Sequence, residues 1–142
     1  MRCAKSRQRG MAEAVADASA LVDLLLGNEL GDAVHTRLAG QVLHAPAHVD
    51  AEVLSAVGRL QRAGTVEADG AEAMLRRLAA APIQRHPVTS LLIGAWSRRH
   101  RLRLADALYV ELAASRDLPL ITTDRRLHSV RVAEIVSVEA AR

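Results

Sequence analysis

At 142 residues, half of them hydrophobic, the chain is the size of one domain with a core of its own. Phe is absent and Trp96 and Tyr109 are the only large aromatics, so a serial stacking platform for single-stranded bases is excluded. The formal net charge of +3 lies in the leader: Arg2, Lys5, Arg7 and Arg9 fall in the first ten residues, and 19 basic side chains less these four leaves 15 against 16 acidic ones, a body of charge −1 with no overall attraction for nucleic acid.

Residues 1–10 read as a disordered basic arm, with Met11 as an alternative start, and residues 11–142 as a single domain. The leader has no apolar stretch of the secretory kind, and no apolar run approaches the roughly 18 residues of a membrane span. The lone cysteine, Cys3, cannot form an intramolecular disulfide, which fits a reducing compartment and a cytoplasmic location.

In chain order, Glu13 to Asp17 reads as a short buried strand, and the helix that follows it closes at Gly27. A second helix covers Glu29 to Ala39, then a strand covers Gln41 to Ala45, and Pro46 marks the turn into the next helix. That helix carries Val49, Val53, Ala56, Val57 and Leu60 on one face and ends at Gly64. Another helix spans Glu67 to Ala81 and stops at Pro82. Ile83 to Val88 is a weak strand because Pro87 interrupts it. Thr89 is an expected N-cap for LLIGAWSRRH, whose apolar face reads most simply as core, with a dimer contact as the alternative. Leu104 to Ser115 is helical, Pro119 to Thr123 is a buried strand, and a last strand covers Glu134 to Val138. Short apolar strands alternating with helices imply the α/β class, a parallel sheet covered on both faces.

Four acids stand at or beside these boundaries: Asp17, Glu52, Asp106 and Asp124. Each alone is explained as a helix cap or a half-exposed helical acid. Together they point elsewhere. Strand logic puts Asp17, Glu52 and Asp124 at the carboxyl edge of the sheet, where α/β proteins bind ligands, and Asp106 is inferred to join them. Carboxylates gathered with few cations nearby repel one another unless a hard divalent cation joins them.

The stretches VADASALVDLLLG, APAHVDAEVLSAVGRL and RLRLADALYVELAASRDLPLITTDRRL together resemble the PIN-domain family, and within it the VapC-type toxins of bacterial toxin–antitoxin pairs. The resemblance rests on Asp17 with Ser19, Glu52 with Val53, Asp106 through Tyr109, and Thr122 with Asp124, in that order. It implies a three-layer α/β/α fold, a Mg²⁺- or Mn²⁺-dependent endoribonuclease, a homodimer, an RNA substrate and an antitoxin partner that silences the site. Asp17 and Asp106 are then the expected direct ligands, with Glu52 and Asp124 holding bound waters or a second ion. A metal-activated water would attack the phosphodiester in line. Ser19 and Thr122 would orient carboxylates or waters, and Arg98, Arg99, Arg101 and Arg103, with Arg125 and Arg126 behind them, would hold RNA phosphates, the alternative for the basic run being a solvated turn that ends a helix. The sequence departs from many relatives at Ser55, where Asn is common, and has no further acid close after Asp124.

His44 and His48 have the spacing of a zinc pair, but Pro46 lies between them and no third ligand is evident, so they read as turn histidines. His35, His86 and His128 read as isolated structural or surface groups. A phosphoryl-accepting role for Asp17 fails because the only Lys is Lys5, in the leader. Phosphate-loop, dinucleotide and serine-hydrolase motifs are absent. The alternatives that remain are a non-catalytic RNA- or protein-binding module on a PIN-like fold, and an RNA-processing nuclease that is not a toxin.

Overall fold

Strand and helix alternate as expected. The computed structural model describes residues 11–138 and contains β1 (Glu13–Ala16), α1 (Ala18–Leu26), α2 (Glu29–Leu38), β2 (Val42–Pro46), α3 (Val49–Arg62), α4 (Ala68–Ala80), β3 (Ile83–His86), α5 (Leu92–Ser97), α6 (Leu104–Arg116), β4 (Leu120–Thr122) and β5 (Ala133–Ile135). The basic leader and the last residues of the expected 11–142 domain lie outside the described residues.

All five strands are parallel, in the order β3-β2-β1-β4-β5. The connections β1 to β2 and β2 to β3 step in one direction, and the connection β3 to β4 steps back across the sheet. Parallel crossovers are right-handed, so α1 to α4 cover one face while α5 and α6 cover the other. This is a three-layer α/β/α sandwich, with α6 packed across β1, β2 and β4. Ala14, Val15 and Ala16 of β1 and Leu120 and Ile121 of β4 form the centre of the core. Between these two strands the direction of winding reverses, and the crevice beyond their carboxyl ends is where such folds present ligand groups.

Several local expectations are corrected. Pro46 belongs to β2, where it pairs with His86, rather than to the turn, because a strand end tolerates a residue with no N–H to donate. β3 stops at His86, before Pro87. Thr89 caps nothing: a 3-10 turn over Val88–Leu91 leads into α5, and α5 has no side-chain cap. That helix ends at Ser97, leaving the arginine run in a turn. The face of α5 expected to be core divides, with Leu91 and Ala95 buried while Leu92, Ile93 and Trp96 are exposed. β5 ends at Ile135 rather than Val138. The elbow between α1 and α2 needs glycine at position 31, where a Cβ would stand 2.0 Å from the Asp23 carbonyl oxygen.

Candidate active site

Asp17 leaves β1 extended and caps α1, accepting from the Ala20 N–H at 3.0 Å. The capping role and the site role therefore coexist in one carboxylate. Its Oδ1 also accepts from the Ser19 hydroxyl at 2.7 Å, and its Oδ2 accepts from Thr122 Oγ1 at 2.5 Å. Asp17 is 5% exposed, and burial pushes its carboxyl above the usual carboxylate range in spite of these three donors. Ser19 and Thr122 also touch each other at 3.1 Å and receive the backbone N–H groups of Thr123 and Asp124. Both hydroxyls expected to orient carboxylates thus join the end of β4 to the start of α1. One donor pair was missed by the sequence reading: Thr123 Oγ1 donates to Asp23 at 2.7 Å, tying the same β4 end to α1 a turn further on.

Glu52 and Asp106 come from opposite layers and meet at this edge. Tyr109 Oη donates to Glu52 Oε1 at 2.6 Å, and His48 Nε2 lies 3.3 Å from the same oxygen. Burial, and after it the hydrogen bond to Glu52, raise the Tyr109 hydroxyl far above its ordinary pKa, so it stays a donor. Asp106 is half-buried and makes no side-chain hydrogen bond or ion pair among the described residues. Burial raises its pKa most; Arg126 lowers it, and the charges of Asp124 and Glu52 raise it. Asp106 in turn raises Asp17. The charges of Asp124 and Glu52 thus reach Asp106, and that of Asp106 reaches Asp17.

Asp124 is the exception to the lack of cations. Arg126 lays its guanidinium across both carboxylate oxygens at 2.6 to 3.1 Å, which holds Asp124 below the usual carboxylate range. Asp124 also caps its own 3-10 turn. In the basic turn, Arg98 is tied to Glu111 and to the Gly94 carbonyl, and Arg99 lies 4.7 Å over the Trp96 ring. Arg103 is the member of the turn whose charge acts on Asp106 and Asp124. A groove of about 630 Å³ between α1 and α3, walled in part by Val22, Ala51 and Ala56, opens beside Ser19 and Glu52.

The histidines are placed differently from the sequence reading. His44 is buried in β2, bonded to Glu13 at 2.8 Å and to His86 at 2.8 Å, so neither His44 nor His86 is a turn or isolated group. His48 bonds elsewhere, which leaves no zinc pair. Among the described residues, no group of three or more His, Cys, Asp or Glu side chains is placed to hold a metal ion.

The family model for the PIN domain matches residues 14–133. The chain belongs to the PIN domain family. The matched span contains all four carboxylates, both hydroxyls and Tyr109. This PIN domain is 56% identical over 116 residues to Ribonuclease VapC3 of Mycobacterium tuberculosis, covering 81% of this chain and 85% of that protein. Its fold matches the crystal structure of Mycobacterium tuberculosis VapC20, a sarcin-ricin loop cleaving toxin, with a TM-score of 0.66 at 16% identity over 87% of this chain and 99% of that one. It also matches a toxin-antitoxin complex from Klebsiella pneumoniae, with a TM-score of 0.64 at 16% identity over 87% and 98% of the two chains.

Proposed function

We propose that this PIN domain is a Mg²⁺- or Mn²⁺-dependent endoribonuclease acting as the toxin of a toxin–antitoxin pair. The observation that carries the chemistry is Asp106: a half-buried carboxylate without a protein partner, facing Asp17, Glu52 and Asp124. Four carboxylates against Arg103 and Arg126 leave negative charge that a further cation would offset. The donor set suits a hard ion that takes one or two carboxylates and keeps its waters, and it does not suit a three-ligand cage. Asp17 Oδ1 already accepts two hydrogen bonds, whereas Oδ2 accepts one, so Oδ2 keeps the capacity to ligate. Asp17 and Asp106 would hold the ion, with Glu52 and Asp124 completing its water shell. Bound there, it would offset charge on the phosphodiester and make water a better nucleophile.

The chain's own residues do the rest. Ser19 and Thr122 hold Asp17 by both oxygens, and Tyr109 holds Glu52 by one, so neither carboxylate can swing out to solvent. Arg103 and Arg126 border the acids and are the cations best placed to receive RNA phosphates. Arg98 and Arg99, engaged with Glu111 and Trp96, support the turn rather than reach the site. The name of the relative at 56% identity supports ribonuclease activity, and the resemblance to VapC-type toxins supports an antitoxin partner and a homodimer. The exposed Leu92, Ile93 and Trp96 of α5 offer an apolar surface for either protein.

Cleavage of structured RNA by purified protein tests this reading. Cutting is expected with Mg²⁺ or Mn²⁺, lost with chelator, and lost in both Asp17→Asn and Asp106→Asn. Cutting that survives in both variants would remove the site assignment. Absence of cutting across varied RNAs would favour the non-catalytic binding module.

A further inference from the structure

We infer that His48 is a positioning residue that fastens the helix bearing Glu52 to the helix bearing Asp106, and so sets the separation of these two carboxylates; this rests on the metal-site reading above. His48 stands at the start of α3, one turn before Glu52. Its Nε2 lies 3.1 Å from the carbonyl oxygen of Ala105, the residue before Asp106 in α6, and 3.3 Å from Glu52 Oε1. Both neighbours are acceptors, so Nε2 carries the hydrogen and shares it between them. The ring packs on Tyr109 with centroids 4.6 Å apart, and Tyr109 itself donates to the same Glu52 oxygen.

A single N–H thus touches the backbone beside one acid and the carboxylate of the other. α3 and α6 lie in opposite layers of the sandwich, and His48 and Tyr109 link them at Glu52. The other ring nitrogen, Nδ1, is buried and is the one buried side-chain nitrogen or oxygen without a partner among the described residues. A buried polar atom left unpaired is a cost, and a Leu or Met at this position would avoid it. What the imidazole supplies that those residues lack is the Nε2–H.

This asymmetry makes the inference testable with three variants. Gln places an amide near the position of Nε2, Asn places one near Nδ1, and Ala removes both. In the metal-free protein, hydrogen exchange over Ala107 to Tyr109 at the start of α6 should accelerate in His48→Ala and His48→Asn and return towards wild type in His48→Gln. Mn²⁺ titration by calorimetry should show affinity weakened roughly tenfold in His48→Ala and His48→Asn, with rescue to within about threefold in His48→Gln. Equal exchange in all four proteins overturns the strut, as does wild-type Mn²⁺ affinity in His48→Ala. Failure of the wild-type protein to bind Mn²⁺ would instead count against the metal site, and the exchange data would still decide the strut.

Discussion

Two polar clusters are built into this sheet, and they are resolved in opposite ways. Under α6, Arg116, His86, His44 and Glu13 form a directed chain. Arg116 donates to His86 Nδ1 at 3.4 Å, His86 Nε2–H to His44 Nδ1 at 2.8 Å, and His44 Nε2–H to Glu13 at 2.8 Å. With both rings neutral, every donor meets an acceptor. At the carboxyl edge of β1 and β4, by contrast, Asp17 and Asp106 are desolvated, and the four acids there face two arginines, Arg126 and Arg103. Folding satisfies the first cluster completely and leaves the second short of positive charge. The first is architecture, and the second is where a ligand has something to contribute.

Substitutions in the two clusters should therefore move different observables. The largest effect is on activity: Asp106→Asn should lower the rate of RNA cleavage by more than the roughly 10- to 100-fold expected for a group that only orients a ligand, with little change in unfolding midpoint. A loss below tenfold would place Asp106 outside the metal's contacts. Next, His44→Leu should cost about 2 kcal/mol in denaturant unfolding, because it leaves His86 and Glu13 without their shared partner, while cleavage per folded molecule persists. Equal stability would mean that the chain of hydrogen bonds has no net worth.

A smaller and opposite effect is expected at Asp17. Its folded pKa is raised, so the stability linked to it is present below the unfolded pKa, near 4, and is lost as pH rises through the folded value. Asp17→Asn should be more stable than wild type at neutral pH, with the gap closing as the pH falls towards 4. Thermal melts of both proteins between pH 4 and 8 would show it. The smallest effect concerns His86, whose pKa is lowered by burial first, then by Arg116 and His44. Its linked stability is present above the unfolded pKa near 6.5 and declines as pH falls through the depressed folded value. His86→Gln should flatten that slope in urea titrations.

The acids were legible in the sequence because each stands at an element boundary, and boundaries on one sheet edge converge by the rules of parallel winding. The partners that hold them were legible only in part. Ser19 and Thr122 lie beside Asp17 and Asp124 in sequence, but Tyr109 and Glu52 are 57 positions apart, and only the meeting of two layers makes them neighbours. His44 and His86 were misjudged for a similar reason: the register of β2 against β3 stacks them, and position along the chain carries no trace of it. Only His44 carries a local signal, as a His inside an otherwise apolar strand. Arg126 sits next but one to Asp124, yet its clamp depends on the tight 3-10 turn that brings its side chain back. Thr89 was read as a cap from its type alone, and the chain uses a 3-10 turn there instead.

The strand order also governs when the candidate site can be completed during synthesis. β1 is the middle of the sheet and the first strand to leave the ribosome, but its neighbour β4 is almost the last. Asp17 receives the Thr122 hydroxyl across 105 residues of chain, a delay of roughly ten seconds at ordinary rates of synthesis. Until β4 emerges, β1 has one open flank, Asp17 lacks a donor on one oxygen, and Asp124 does not yet exist. The four acids therefore come together only when nearly all of the protein has been made.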